Sequence, residues 1–112
     1  MQVIKRNGSK VDFESTKIYS AITNAAKEVF VLDDDLKRQL ADLTTRIALD
    51  LTELDIDAVT ISMVQSQVEQ RLLAAGYIRI AERYIAYRLQ RDLERYGYED
   101  RLAVHLHFER LV

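Results

Sequence analysis

Cationic side chains are concentrated at the start of this chain, although its formal net charge is −2. A tight hairpin is predicted there, because Asn7-Gly8 lies between two short β-prone runs. A helical pattern then begins at Ser15 or Thr16, and the backbone N–H groups at a helix N-terminus favour anions. The chemistry that this arrangement could perform is the binding of a polyphosphate. The cationic residues are Lys5, Arg6, Lys10 and Lys17.

A two-residue turn at Asn7-Gly8 predicts that Lys5 and Lys10 face each other on one side of the hairpin. Ile4 and Val11 would then share the opposite side, over the helices. Like charges placed opposite each other cost roughly 0.2–1 kcal/mol, and a bound anion would reverse the sign of that interaction. The alternative is that these lysines serve solubility and protect a strand edge, and spacing alone favours it.

The composition of the 112 residues indicates one globular domain. The slightly acidic balance argues against a general binder of nucleic acid. Cysteine is absent, which excludes a disulfide framework, a cysteine–zinc site and a thiol nucleophile within this sequence. The sequence contains neither an apolar run of membrane-spanning length nor the apolar core of a signal peptide. We therefore expect a cytoplasmic protein that does not contact membranes.

Four helices are predicted from the spacing of apolar residues. The first begins at a Ser15 or Thr16 cap and ends near Phe30, and three aspartates from Asp33 introduce the second. The apolar stripe predicted for the second helix is Leu36, Leu40, Leu43, Ile47 and Leu51. The β-branched stretch 54–61 suggests a short strand or an extended linker. Ser62 and Gln65 have the spacing of a capping box for the third helix, which should end at Gly76.

The fourth predicted helix runs from about Ile78 to Tyr96, where Gly97 would close it. Its inward residues are expected to be Ile78, Ala81, Ile85, Leu89 and Leu93. The remaining tail, 98–112, partly alternates between apolar and polar residues and could be a strand or an extended arm. His105 and His107 could bind a metal from one face of such a strand, although unpaired surface histidines are the more common case.

Several segments together resemble the ATP-cone domain. They are Val3-Ile4-Lys5-Arg6-Asn7-Gly8, Val11-Asp12-Phe13, Lys17-Ile18, Ile56-Asp57 to Thr60, and Tyr84-Ile85-Ala86-Tyr87-Arg88. The resemblance covers roughly residues 2–97 and implies an α+β fold, mainly α. In that fold a four-helix bundle is capped by a small three-stranded β-sheet with an N-terminal β-hairpin. Residues 1–97 would form the nucleotide-binding domain, and residues 98–112 a C-terminal extension or a linker to a further domain.

The resemblance implies a regulatory domain without catalytic residues of its own. It would bind ATP or dATP under the hairpin, with Mg²⁺ accompanying the nucleotide. It would control a ribonucleotide reductase through nucleotide-dependent oligomerisation, so the expected partners are the reductase's catalytic domain and further copies of the chain. The tail from Glu94 resembles the anaerobic, glycyl-radical type. The alternatives are the nucleotide-sensing domain of a repressor of reductase genes, disfavoured by the missing cysteines, and a helical dimerisation module without ligand.

The family's nucleotide contacts can be carried over to positions in this sequence. Lys5 and Arg6 match the family's phosphate and hairpin contacts, and Lys17 matches its helix lysine. Lys10 is a further candidate for a phosphate contact. Val11 stands where the family often has an acid, which affects the base and ribose contacts more than the phosphate contacts. On spacing alone, Gln65 could be only a cap, and the two arginines of the last helix could pair with its acids Glu82, Asp92 or Glu94. The remaining expected contacts are Val3, Ile4, Thr60, Gln65, Arg88 and Arg91.

Overall fold

The computed structural model describes the backbone of residues 1–111 and the side chains of residues 1–94. The described backbone contains three short strands and four helices. Their order is β1 (Gln2–Ile4), β2 (Lys10–Asp12), α1 (Ser15–Lys27), α2 (Asp34–Thr52), β3 (Ala58–Thr60), α3 (Ile61–Ala74) and α4 (Ile78–Leu111). The predicted α+β, mainly α architecture is confirmed.

The helices form a closed bundle, since α1 packs on α2, α2 on α3, α3 on α4 and α4 on α1. Each helix buries one apolar stripe, as the 3.6-residue period requires. Leu40, Ile47 and Leu51 are the buried part of the stripe predicted for α2. The other fully enclosed large side chains come from four further elements, α1, β3, α3 and α4: Ile22, Val59, Val68, Leu72 and Ile80.

The helix starts differ in how their free backbone N–H groups are satisfied. Asp33 caps α2, because its Oδ1 accepts a 2.8 Å hydrogen bond from the Leu36 amide. Thr60 caps α3 by accepting from the Met63 amide at 3.2 Å, so the predicted Ser62-Gln65 capping box is wrong. The predicted α1 cap is also wrong, since Glu14 occupies the cap position and makes no side-chain cap bond.

The sheet has the strand order β2-β1-β3, with β1 antiparallel to β2 and parallel to β3. Val3 lies between Val11 and Val59 in one row across it. Val3 and Val59 are buried, and Val11 packs against the same core. The neighbouring row, Lys10–Ile4–Thr60, has its side chains on the opposite face, because side chains alternate along a strand. We call this opposite face the outer face.

This register corrects the predicted two-residue turn. Lys5 and Ser9 close the loop, with the Lys5 amide donating to the Ser9 carbonyl at 2.8 Å and the Gly8 amide donating to the Lys5 carbonyl at 2.9 Å. Gly8 has φ +85°, whereas Asn7 does not have the positive φ that a type I′ turn demands. The loop is therefore a three-residue turn with a glycine bulge, in which Asn7 Oδ1 accepts from the Ser9 amide at 3.0 Å.

The extra loop residue changes which side chains are neighbours. Lys10 pairs with Ile4 and not with Lys5, and Val3 replaces Ile4 in the core. A register shift of one residue turns a strand's side chains to the other face, which explains both changes. The like-charge argument for an anion between Lys5 and Lys10 therefore fails.

The fourth helix is longer than predicted, since α4 continues through Gly97 to Leu111. The predicted end near Tyr96 and the strand or arm after it are wrong. A glycine inside a helix costs only about 1 kcal/mol relative to alanine, so it need not end one. Ile78 is 56% exposed and Ile80 takes its place in the core. Ala81 and Leu89 are buried as predicted.

The side chains of His105 and His107 lie outside the described residues, as does all of Val112. Within the part of the chain that the structure describes, no helix combines the length and the apolar character needed to cross a membrane.

Candidate functional site

Three of the predicted nucleotide contacts form one row across the sheet. Ile4 in the central strand is flanked by Lys10 of β2 and Thr60 of β3, in direct register. Lys10 and Thr60 are exposed and Ile4 is half-buried. The row therefore presents an ammonium group, an apolar surface and a hydroxyl side by side on the outer face.

Val3 is placed differently from the other expected contacts. Its side chain is 7% exposed and packs in the hydrophobic core between the sheet and the helices. Any contact between Val3 and a ligand would have to use its main chain. Its established role in the structure is to anchor the central strand.

The hairpin loop carries the next two expected contacts, Lys5 and Arg6. Lys5 is exposed and has no ion-pair partner among the side chains of residues 1–94, and the same holds for Lys10. Arg6 reaches across to α4, where its Nη2 lies 2.9 Å from Oδ2 of Asp92. The loop thus presents one uncompensated lysine and is tied to the last helix through the neighbouring arginine.

Lys17 lies in the first turn of α1, close to the end of the hairpin in sequence. Its Nζ is 3.7 Å from Oε2 of Glu14, and both side chains are largely exposed. Exposed pairs of this kind are worth at most about 1 kcal/mol, because water screens them and the side chains lose freedom. This contact would therefore yield readily to an anion.

The two arginines of α4 have different environments. Arg88 is 12% exposed in its side chain, and its Nε donates to Oε1 of Glu69 on α3 at 2.8 Å. The sequence suggested only acids of α4 as partners for Arg88, but the acid that pairs with it lies on α3. Arg91 is exposed. Of the two, Arg91 is the better placed for a ligand, since Arg88 already links α3 to α4.

Tyr84 is packed beside these charges. Burial, with the Glu69 carboxylate as second cause, raises the pKa of Tyr84 to about 12 from the ordinary 10.0. Arg88 and Arg91 lower the same pKa and offset part of the shift. The phenol is therefore neutral at physiological pH, and its ring belongs to the packing around the core.

A test of this environment follows from the sign of the shift. Between pH 10 and 12 the unfolded chain loses a proton that folded Tyr84 keeps, so the free energy of unfolding should fall by about 1.4 kcal/mol per pH unit. Below pH 10 this contribution is fully present. Urea denaturation at several pH values should show a steeper decline for the parent than for Tyr84→Phe. Equal pH dependence in the two proteins would contradict the assignment.

Two expected contacts remain, Gln65 and Thr60. Gln65 is half-buried on α3, and no hydrogen bond or ion pair joins it to the hairpin among the described side chains. The Thr60 hydroxyl accepts from the Met63 amide and, as a hydroxyl, still has a proton to donate. Thr60 thus joins the outer face, and Gln65 stays a predicted contact.

Asp92 is the residue that sequence reasoning missed. It was considered only as a partner for arginines on its own helix, but it contacts Arg6 of the hairpin and has a buried side chain. The available signal was its spacing, because Asp92 follows Leu89 by three positions and so falls on the inward stripe of α4. A charged residue on an inward stripe calls for a partner from elsewhere in the fold.

Two described cavities lie along α2 and α3 and not beneath the hairpin. Their volumes are about 620 and 300 Å³, and they share Leu54 and Gln67. None of the predicted nucleotide contacts lines either of them. Among the described residues no three histidines or acids converge in a way that could hold a metal ion.

Comparison with known protein families matches residues 1–93 to the ATP cone domain. The Escherichia coli anaerobic ribonucleoside-triphosphate reductase is 37% identical over 93 residues, which are 83% of this chain and 12% of the reductase. The Chlamydia trachomatis ribonucleoside-diphosphate reductase subunit alpha is 29% identical, over 83% of this chain and 10% of that subunit.

A third relative is a regulator and not a reductase. The transcriptional repressor NrdR of Dinoroseobacter shibae is 27% identical over 84% of this chain and 60% of its own length. This chain spans only about an eighth of the E. coli reductase that it matches. The family match, the reductase similarities and the four-helix bundle with its three-stranded cap agree with one another, and the chain belongs to the ATP cone domain family.

Proposed function

We propose that this chain is the ATP- and dATP-binding regulatory domain of a ribonucleotide reductase. The observation that carries the proposal is the pair of exposed lysines, Lys5 and Lys10, for which residues 1–94 provide no acidic partner. Arg6 and Lys17 add positive charge in the hairpin and at the start of α1. Together these four groups would bind the triphosphate, because phosphate contacts favour Lys and Arg donors.

The outer face supplies groups that could contact the rest of the nucleotide. Ile4 offers apolar surface, and the Thr60 hydroxyl can donate to a ribose or phosphate oxygen. ATP and dATP differ by a single 2′-hydroxyl, so any preference between them must come from groups near the ribose. Mg²⁺ would arrive on the phosphate oxygens, since this ion keeps several waters and usually takes only one or two protein carboxylates.

The regulatory effect would be a change of assembly. A nucleotide shifts an equilibrium between assembly states only as far as it binds one state more tightly than the other. We propose that the partners are the catalytic domain of the reductase and further copies of this chain. The similarity to the anaerobic enzyme of E. coli supports a cytoplasmic ribonucleoside-triphosphate reductase as the parent protein. A nucleotide-sensing domain of a repressor remains the second candidate, supported by the NrdR similarity.

Calorimetric titration of the chain with ATP and with dATP, both with Mg²⁺, tests nucleotide binding directly. We expect saturable binding of at least one of them, and adenosine without phosphates should bind far more weakly. Absence of binding by either nucleotide at millimolar concentration would reject the proposal in favour of a ligand-free helical interaction module. Measuring the mass in solution with and without dATP then tests the change of assembly.

A further inference from the structure

An ion pair joins the hairpin to α4. Arg6 Nη2 lies 2.9 Å from Asp92 Oδ2, and the two side chains are 37% and 9% exposed. The same Oδ2 is buried and accepts no hydrogen bond in the described part of the structure, so the guanidinium is near it without being aligned as a donor. Asp92 thus relies on a nearby positive charge with poor hydrogen-bond geometry.

Such a pair has opposite consequences for its two members. A carboxylate that is buried without its cation is strongly unfavourable, because its charge is neither hydrated nor compensated. Arg6 is more exposed and can take another anion as its partner. A phosphate group is a strong competitor, since it accepts paired N–H donors from a guanidinium.

We propose that Asp92 is the positioning residue that holds Arg6 in the nucleotide-free chain, and that bound phosphate competes with it for the guanidinium. This inference rests on the proposed function, because it takes Arg6 as a phosphate contact. Nucleotide binding then weakens the pair and leaves the Asp92 carboxylate less compensated inside the bundle. The resulting free-energy cost destabilises the packing of α4, the helix that carries Asp92.

The position of Asp92 on α4 would allow the effect of this competition to be transmitted beyond the domain. The family match ends at residue 93, and α4 continues from there to Leu111. Asp92 therefore lies where the helix leaves the region that matches the family. A change in the packing of α4 at this point would be passed along the helix, since a helix acts as a rigid element between two sites.

The test combines affinity with a local probe of α4. Asp92→Asn removes the competing charge and keeps the shape of the side chain, so we expect it to bind ATP at least about fivefold more tightly than the parent. In the Arg6→Gln background the same substitution should change the affinity by less than about twofold, since no guanidinium is left to compete for. Weaker binding by Asp92→Asn, or an equal gain in both backgrounds, would overturn the proposal.

Hydrogen exchange provides the second readout. In the parent, ATP should speed exchange of the α4 amides around residues 88–94, and in Asp92→Asn these amides should not respond. Faster exchange in both proteins, or in neither, would contradict the proposal. If the parent binds no nucleotide at all, the proposed function fails; if it binds and Asp92→Asn behaves like the parent, only the role of Asp92 fails.

A matched control is available at the other end of α1. Like Asp92→Asn, Glu28→Gln removes the negative charge of an ion pair with an arginine. Glu28 Oε2 lies 2.5 Å from Nη2 of Arg83, which belongs to α4. This pair is about 20 Å from the start of α1, given the rise of 1.5 Å per residue. We expect Glu28→Gln to bind ATP like the parent, and thermal melting of each variant shows that it is folded.

Discussion

We expect Lys5→Glu to weaken ATP binding by at least about tenfold. A charged hydrogen bond contributes about 1.5–3 kcal/mol, and 1.4 kcal/mol corresponds to a factor of ten in affinity. Reversing the charge adds repulsion of the phosphates to the loss of the contact. Lys5 is exposed and lies in a loop that closes through backbone hydrogen bonds, so the substitution should leave the fold intact. Calorimetric titration with ATP measures the effect.

Lys37→Glu is the control for this experiment. Lys37 is an exposed lysine near the start of α2, a helix that supplies none of the predicted nucleotide contacts. The variant has the same net charge as Lys5→Glu but should bind ATP within about twofold of the parent, because it removes no predicted nucleotide contact and salt screens exposed charges. Equal weakening in both variants would show that only overall charge matters, and no weakening in Lys5→Glu would remove Lys5 from the site.

The second large effect is on stability. Leu72→Ala should lower the free energy of unfolding by about 2–5 kcal/mol, because it empties space around a side chain that is 0% exposed. Domains of this size are stable by about 5–15 kcal/mol in total, so the variant would lose a large share. Urea denaturation gives the change directly, and the melting temperature should fall by more than about 8 °C.

The next residue provides the comparison. Leu73 is the same residue type on the same helix but is 49% exposed. Leu73→Ala should change the free energy of unfolding by less than about 1 kcal/mol, since it removes little buried surface and alanine favours helix. Similar losses in the two variants would mean that the assigned inward face of α3 is wrong.

The corrected hairpin changes the argument for phosphate binding. The sequence suggested two lysines held opposite each other, and the structure separates them by register. Support for a polyphosphate now comes from family membership and from lysines without acidic partners in the described part of the chain. The register also shows which residues form the outer face, because Lys10, Ile4 and Thr60 lie in one row.

Local signals were sufficient to predict the four helices, and the family resemblance supplied the kind of fold. Apolar residues at helical spacing predicted the buried stripe of α2. The aspartates predicted at the start of this helix include Asp33, which caps it. Gly76 has φ +87° after α3, as expected for a residue that closes a helix. These features depend on neighbours within about one helical turn, and the sequence shows such neighbours directly.

The helix ends and the hairpin register were beyond the same signals. Gly97 is a residue type that often closes a helix, but α4 continues through it. One additional residue in the loop between β1 and β2 moved Val3 into the core and Ile4 to the outer face. In both cases the predicted and the observed conformation differ in local free energy by only about 1 kcal/mol. The packing of the whole domain therefore decides which one forms.

The sequence by itself determined the family, the four-helix bundle and the concentration of positive charge at the hairpin. Only the tertiary structure decided which charges meet. Arg6 meets Asp92 and Arg88 meets Glu69, partners that belong to different elements of the fold. The physical reason is that a charge pairs with whatever the packed bundle brings within about 4 Å, and residues distant in the chain become neighbours only after folding.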